Sequence, residues 1–334
     1  MKSFTRILSA VICICMLSLV LAGCSSASPS SEQTNKTNIN VAAIKGPSSV
    51  GMVHLMDKND SNATKNQYQF TIANSPDEIV GKLTSHEVDI AAVPTNLAAS
   101  IYNKTNQDVQ MLAVSTLGVL YIMENGNSIQ SVADLKGQTI YTTGQGANPE
   151  YVLEYVLRQN GLDPEKDVTI SYVSNNDELA ALLASGQASV AMVPEPTATI
   201  INSENPNIRY ALDMTEEWDN ASNHSSSLMM GCVIGNREFI AENEQAIQTF
   251  LDEYKDSIDA ALNQIDTTAN LCATYDIISN ETIAEKAIPR CNITYIDGAY
   301  MKEQIEGYLS VLYQANPKSI GGAMPNDNFY YQAE

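Results

Sequence analysis

Positive charge is scarce in this sequence. Eighteen lysine and arginine residues face 39 aspartate and glutamate residues, which gives a formal net charge of −21. A surface of that sign repels the phosphate backbone of nucleic acids and anionic lipid head groups alike. We therefore expect no nucleic-acid partner, and we assign the acidic surface to solubility.

Histidine, tryptophan and cysteine are also rare. Three histidines, one tryptophan and six cysteines leave little material for a multi-histidine metal centre or a disulfide-rich miniprotein. We expect neither a metal nor a cofactor. What is present is an apolar fraction of 44% in 334 residues, which is typical of a globular chain long enough for two domains.

The N-terminus has the layout of an export signal. Lys2 and Arg6 precede an uncharged apolar run over residues 7–22, and Ser- and Thr-rich sequence follows. The run is about 16 residues long, short of the roughly 20 that a membrane-spanning helix needs. At its end, residues 21–24 (LAGC) resemble a bacterial lipobox, which implies cleavage before Cys24 and diacylation of that cysteine. The alternative is a plain secretory signal with an incidental cysteine.

We accordingly predict a signal peptide over residues 1–23 and a lipidated, flexible tether over residues 24–38, because this segment is too polar to bury anything. The protein is then extracytoplasmic, in a bacterium, and attached to the cell membrane through its lipid alone. Among the remaining cysteines, a Cys272–Cys291 disulfide and three reduced buried thiols are both open.

A 20-residue unit occurs twice. Residues 75–94 and 175–194 align without a gap at an offset of 100, with 7 of 20 positions identical. Each copy predicts an amphipathic helix that begins at a capping residue and an Asp-Glu pair, and then an apolar strand that ends at Pro94 or Pro194. Strands without polar alternation are typical of a sheet covered on both faces.

Similar patterns precede each copy. A β-rich run comes directly before each helix, and further upstream a strand, a glycine turn and a helix follow one another at residues 39–56 and 139–160. Each half is thus a β-loop-α-β-α-β unit. The sequence predicts an α/β fold with two Rossmann-like lobes of parallel strands.

The chain after the second copy is helical in period, so it cannot build a third lobe and must return to an existing one. The apolar stretches 111–123 and 228–234 are the candidates for the outgoing and returning crossings, which together would form a two-strand hinge. The predicted lobes are residues 39–118 plus 230–334, and residues 119–229. The segments with helical period are 237–265, 266–277, 281–288 and 297–315.

This arrangement resembles the type 2 periplasmic-binding-protein fold of ABC importers, over essentially the whole mature chain. Closer detail looks like the nitrate, sulfonate, taurine and thiamine-pyrimidine group of these receptors. The resemblance implies a non-enzymatic protein that carries a small polar solute to an ABC permease and its ATPase; we expect a monomer. The segments that carry it are VAAIKGPSSVGM, SPDEIVGKL, DIAAVPTNLA, SVADLKGQTIY and AMVPEP.

Ligands of open α/β sheets bind beyond the carboxyl ends of the strands, where loop amides and helix N-termini converge. The two glycine loops are therefore the first candidates for the binding site, and ordinary strand-to-helix turns are the alternative. A Rossmann or P-loop site is excluded because neither glycine motif follows the strands. The candidate residues are Lys45, Gly46, Pro47, Ser48 and Ser49 in the first lobe, and Gly144, Gln145, Gly146 and Ala147 in the second.

Other strand ends supply polar groups. Asn74, Thr95, Asn96 and Thr116 offer amide and hydroxyl hydrogen bonds to a small polar ligand, although helix capping also explains the Asn74-Ser75 pair. Glu195, held between two prolines, would repel an anion and favour an amine or a ring N–H. It tilts the prediction from sulfonate or nitrate toward a nitrogen heterocycle such as a thiamine-type pyrimidine, unless it is only a solvated turn residue.

The sequence also bears on two other functions and on the place of the single tryptophan. His54, His86 and His224 show no spacing of metal ligands or catalytic groups, which disfavours an enzyme on the same fold. A sensor that reports its ligand to a membrane receptor is not separated from an importer by the sequence. The single tryptophan, Trp218, lies in the acidic stretch TEEWDN and is predicted in a surface loop, with the cleft wall as the alternative.

Overall fold

The computed structural model describes residues 36–73 and 75–332 of the chain. The predicted signal peptide, the lipobox with Cys24 and nearly all of the tether lie outside these residues, as does Asn74. The chain from Thr37 onward forms one compact unit. Among the described residues, no helix is long and apolar enough to cross a membrane.

Two β-sheets organise this unit. The strands of the first sheet are β1 (Asn38–Ile44), β2 (Gln67–Ala73), β3 (Ile90–Pro94), β4 (Val109–Thr116), β10 (Gly231–Asn236) and β11 (Ile293–Ile296). Those of the second are β5 (Leu120–Asn125), β6 (Thr139–Thr142), β7 (Thr169–Tyr172), β8 (Val190–Pro194) and β9 (Ile208–Asp213). The strand orders are β11-β4-β10-β3-β1-β2 and β7-β6-β8-β5-β9.

The predicted α/β fold with two lobes is confirmed. Thirteen helices among the described residues cover the two sheets. They are α1 (Pro47–Val50), α2 (Val53–Asp60), α3 (Pro76–Thr84), α4 (Thr95–Lys104), α5 (Asn148–Gln159), α6 (Asn176–Ala184), α7 (Thr197–Glu204), α8 (Met214–Ala221), α9 (Arg237–Glu242), α10 (Glu244–Asn263), α11 (Ile265–Thr274), α12 (Glu281–Ala287) and α13 (Gly298–Ala315). Short 3-10 turns span Val132–Leu135, Ile288–Arg290, Pro317–Ile320 and Asp327–Phe329.

The sequence repeat corresponds to equivalent elements of the two lobes. Ser75 and Asn175 cap α3 and α6, because their side-chain oxygens accept hydrogen bonds from the backbone N–H groups of Glu78 and Glu178, at 3.4 and 2.9 Å. The strands that follow, β3 and β8, are buried at every position before their terminal proline. Local capping and the apolar strand thus fix the same supersecondary unit twice.

The prediction of parallel lobes is correct for only part of each sheet. Strand β1 pairs in parallel with β2 and β3, and β6 pairs in parallel with β7 and β8. Strand β10 is antiparallel to β3 and β4, and β5 is antiparallel to β8 and β9. Both sheets are mixed, because each contains a strand that enters after the chain has crossed from the other sheet.

The two crossings pack against each other at Gly118. The first occupies residues 117–119, which divide the predicted apolar run into β4 and β5, and the second lies between β9 and β10. A Cβ atom on Gly118 would lie 2.2 Å from Thr215 Oγ1 and 2.7 Å from Leu228 Cδ2, so no larger residue fits without a shift. Asn292 Nδ2 also donates a hydrogen bond to the Gly118 carbonyl at 2.6 Å.

Further contacts join the two lobes near the crossings. Tyr121 Oη donates a hydrogen bond to the Arg290 carbonyl at 2.8 Å, and the Arg290 guanidinium lies 4.5 Å from the ring centre of Tyr210. Helix α13 contributes Tyr308, whose ring centre is 5.5 Å from that of Trp218. Trp218 is fully buried in α8, 4.4 Å from Tyr155, so its predicted placement in a surface loop is wrong.

We expect two glycine-to-alanine changes to shift stability in opposite directions. Gly118→Ala should lower the free energy of unfolding by about 1–3 kcal/mol, because the added methyl overlaps Thr215 and Leu228. Gly81→Ala, in an exposed turn of α3 with no atom within 4 Å of the new methyl, should raise it by about 0.5–1 kcal/mol. Urea unfolding of both variants checks this, and equal effects would contradict the packing described at Gly118.

Candidate functional site

A cavity of about 380 Å³ lies where strand ends of the first sheet meet the crossings and the start of α5. This volume is within the range of small-molecule sites. Its walls combine apolar side chains with hydroxyl and amide groups, and among the described residues no charged side chain lines it. The lining residues are Pro47, Ser48, Pro94, Asn96, Leu97, Thr116, Val119, Ala147, Asn148, Pro149 and Met230.

Two hydroxyl groups converge on Gly231 at the start of β10. A Cβ atom on this glycine would lie 2.9 Å from Ser48 Oγ and 3.1 Å from Thr116 Oγ1. Because glycine has no side chain, both hydroxyls can approach the same point of the cavity wall. Gly231 pairs with Pro94 in β3 and with Thr116 in β4, which fixes the register of this arrangement.

Several polar atoms at the cavity are buried without a hydrogen-bond partner. Within the described part of the chain, Thr116 Oγ1 and Asn148 Oδ1 have none, although Thr116 and Asn148 are 1% and 5% exposed. The hydroxyl of Ser49, which adjoins the lining residue Ser48, has none either. Since buried polar groups are almost always paired, a bound polar ligand would complete their hydrogen bonding.

Helix α4 opens directly on the cavity. Asn96 and Leu97, in its first turn, line the cavity wall, and no side chain of the described residues caps this end. Its first turn also contains no acidic residue. The Thr95 N–H donates to the Met230 carbonyl at 3.1 Å. The remaining N–H groups of this turn and the positive end of the helix dipole favour a negatively charged or strongly accepting group there.

In the second lobe, the equivalent helix is α7, and the Glu195 side chain accepts a hydrogen bond from its first turn. The backbone N–H of Thr199, in α7, donates a hydrogen bond to Glu195 Oε2 at 3.2 Å, and Tyr210 Oη donates one to Oε1 at 2.8 Å. Burial raises the pKa of the Glu195 carboxyl above its ordinary value, although these hydrogen bonds and the nearby Arg290 guanidinium oppose the rise.

Because of these contacts, the Glu195 carboxylate does not contribute to the cavity wall. The residue is 3% exposed and is not among those that line the cavity. The sequence argument for a heterocyclic ligand depended on this carboxylate. In the structure it is hydrogen-bonded to Thr199 and Tyr210 inside the second lobe. Its charge does not face the cavity.

The first glycine loop contributes only part of its residues to the wall. Pro47 and Ser48 line the cavity, whereas Lys45 is turned to the surface, where its Nζ lies 2.5 Å from Asp276 Oδ2. The Gly46 N–H donates a hydrogen bond to the Ile277 carbonyl at 3.0 Å, which holds the loop against the helical C-terminal region.

The second glycine loop is turned largely away from the cavity. Gln145 and Gly146 are exposed, and the Gly146 N–H donates a hydrogen bond to the Glu150 carboxylate. A Cβ atom on Gly144 would lie 2.9 Å from Pro149 Cγ, so this glycine packs against the Pro149 ring. Ala147 lines the wall, followed by Asn148 and Pro149 at the start of α5.

The structure therefore brings together five of the residues singled out from the sequence: Pro47, Ser48, Asn96, Thr116 and Ala147. It places eight others outside the lining: Lys45, Gly46, Ser49, Thr95, Gly144, Gln145, Gly146 and Glu195. Sequence reasoning missed the other six lining residues, which are Pro94, Leu97, Val119, Asn148, Pro149 and Met230. Asn148 and Pro149 follow the glycine loop directly, and extending the loop into the first helical turn would have found them.

Cysteine and metal chemistry play no visible part at the cavity. Cys232, Cys272 and Cys291 are buried and form no disulfide. Burial raises the pKa of the Cys232 thiol to about 12. Among the described residues, no cluster of three His, Cys, Asp or Glu side chains could hold a metal ion.

Solved structures with the same fold cover nearly the whole chain. An ABC transporter protein from Parabacteroides distasonis matches with a TM-score of 0.75 and 22% identity, over 90% of this chain and 100% of that one. The periplasmic aliphatic sulphonate binding protein SsuA from Escherichia coli matches with a TM-score of 0.70 and 15% identity, over 89% and 92%. The alkanesulfonate-binding protein SsuA from Xanthomonas axonopodis, bound to MOPS, gives 0.62 and 13%, over 86% and 95%.

These likenesses show the fold, and the family follows from the sequence itself. No curated protein matches the chain in sequence. A family described as "ABC transporter, phosphonate, periplasmic substrate-binding protein" matches residues 60–269, well over half of the chain. Proteins of this kind bind solutes for an importer outside the cytoplasm and are not enzymes. The chain therefore belongs to the family of periplasmic substrate-binding proteins of phosphonate ABC transporters.

Proposed function

We propose that this protein is a lipid-anchored receptor that captures a small tetrahedral oxyanion, of the phosphonate or sulfonate type, and delivers it to an ABC permease. The observation that carries the proposal is the pair of hydroxyls, on Ser48 and Thr116, that meet at Gly231 beside the start of α4, which no side chain of the described residues caps. Thr116 Oγ1 has no partner among the described residues and is free to donate to a ligand oxygen.

Neutral donors suit an oxyanion with three oxygens on one atom. Hydroxyl groups and helix N–H groups donate hydrogen bonds without bringing a counter-charge, and hydrogen bonds to charged groups are stronger than neutral ones. The second lobe offers an internal parallel, because the Glu195 carboxylate accepts from the Thr199 N–H at the start of α7. In the first lobe, the corresponding end of α4 carries no acid, and a ligand would supply the negative group.

The names of similar proteins support the same class of ligand. The family description names phosphonate, and two of the similar structures are sulfonate-binding proteins. Phosphonates and sulfonates share a tetrahedral head with three oxygens. The heterocycle favoured from Glu195 receives no support from the cavity wall, because the Glu195 carboxylate lies outside it.

Capture is proposed to occur by closure of two lobes, residues 39–118 plus 230–334 and residues 119–229. The crossings that pack at Gly118 would act as the hinge, and the cavity lies between parts of both lobes. A solute can shift the open–closed equilibrium only through its higher affinity for the closed state. Hydrogen bonds donated by the Ser48 hydroxyl in one lobe and by the Asn148 side-chain NH2 group in the other would provide that difference.

Thr116→Val should weaken binding of methylphosphonate or methanesulfonate, whichever binds, by roughly 10- to 100-fold, because it removes one hydrogen bond to a charged group and keeps the shape. The matched control is Ser115→Ala, which removes a neighbouring buried hydroxyl that does not line the cavity. Isothermal titration calorimetry of both variants checks this. Equal losses of affinity would contradict the assigned site.

Cys24→Ser should release the protein from the membrane, because it removes the proposed diacyl anchor and two acyl chains are needed for stable attachment. Membrane and soluble fractions of a bacterium expressing the full chain are compared by immunoblot. Cys15→Ser, the same change within the predicted signal peptide, is the control and should leave the protein in the membrane fraction. An unchanged distribution of Cys24→Ser would refute the lipid anchor.

A further inference from the structure

The cavity is larger than an oxyanion head requires. At roughly 30 Å³ for each water-sized group, a tetrahedral head with three oxygens takes on the order of 100 Å³. The cavity measures about 380 Å³. A bound solute therefore has room for a substituent of several further atoms, and the wall around that space determines its chemistry.

That wall is apolar outside the hydroxyl and amide groups already described. Leu97, Val119 and Met230 contribute aliphatic surface from α4 and the two crossings, and the rings of Pro47, Pro94 and Pro149 contribute the rest. Val119 is 9% exposed and lines the cavity. Such a surface stabilises alkyl groups and offers no hydrogen bond.

An ammonium group on the substituent would find no counter-charge. Among the described residues that line the cavity, none is acidic. The Glu150 carboxylate, next in sequence to the lining residue Pro149, accepts from the Gly146 N–H, and the Glu195 carboxylate accepts from Tyr210 and Thr199. Moving an ammonium ion from water into this wall would cost its hydration, of which neutral acceptors such as Asn148 Oδ1 could replace only part.

We propose that the natural solute carries an apolar, uncharged substituent on its tetrahedral head, and that zwitterionic aminoalkyl compounds are poor ligands. This inference rests on the proposed function and narrows it. It applies equally to a phosphonate or a sulfonate head, because it depends on the part of the cavity that the head does not reach.

The test compares probes of equal size. Propylphosphonate and 2-aminoethylphosphonate differ by one terminal CH₃ in place of NH₃⁺, and propanesulfonate and taurine form the same pair with the other head. Calorimetry on the full-length protein in detergent should show roughly tenfold or tighter binding of the propyl compound in the pair whose head is accepted. Binding should also tighten about three- to fourfold per methylene from methyl to propyl.

Leu97→Ala tests the wall directly. It should reduce the gain in affinity from the methyl to the propyl compound, because it removes aliphatic surface that the longer substituent contacts. Leu262→Ala is the matched control, since Leu262 is an exposed leucine, at 44%, that does not line the cavity. The control should keep the full gain.

The possible failures are distinguishable. Equal or tighter binding of the aminoethyl compound would overturn this inference and leave the proposed oxyanion receptor intact. Absence of binding by all four probes and their methyl homologues would overturn the proposed function and this inference with it. The pair that binds identifies the head as phosphonate or sulfonate.

Discussion

The site depends on the insertion of β10 between β3 and β4. This strand returns from the second lobe and pairs antiparallel with both neighbours, so that Gly231 stands opposite Pro94 on one side and Thr116 on the other. Backbone pairing thereby fixes where β3 ends, where α4 begins and where the Thr116 hydroxyl lies. It also places Met230 at the wall, with its carbonyl accepting from the Thr95 N–H at 3.1 Å. A single ladder of hydrogen bonds thus positions the groups from which the site is built.

The two lobes share a repeat but use its end differently. At the offset of 100, Thr95 of the first copy corresponds to Glu195 of the second. Glu195 supplies the acceptor for its own helix and is thereby withdrawn from the cavity. The first lobe has a short hydroxyl residue there and an open helix end beside the cavity. The second copy therefore satisfies its helix start with its own carboxylate, whereas in the first copy the helix start is left to the proposed ligand.

Much of the fold could be predicted because its signals are local. The capping residues Ser75 and Asn175, the helical periodicity and the unbroken apolar strands are readable from short windows, and the fold follows from their repetition. The antiparallel strands could not be read this way, because their direction depends on where the chain re-enters each sheet. The same limit applies to Trp218, which lies among acidic residues and is nevertheless buried by α5 and α13.

The site was predictable only in outline. Strand ends and glycine loops identified the right region, and Ser48, Asn96 and Thr116 lie at the wall. Whether a polar residue faces the ligand depends on partners that are distant in sequence, as with Lys45 and Asp276, or Glu195 and Tyr210. The apolar half of the wall was missed because leucine, valine and methionine look the same in sequence whether they fill a core or contact a solute.

The position of Trp218 has a practical consequence. It is the only tryptophan of the chain, fully buried between Tyr155 on α5 and Tyr308 on α13, with its indole N–H donating to Ser226 Oγ at 3.2 Å. Helix α5 belongs to the second lobe and carries Asn148 at its cavity end. Helix α13 comes after the second crossing, in the C-terminal part of the chain. The indole therefore lies between α5 and α13, and its ultraviolet emission would provide a label-free optical measure of the lobe closure proposed above.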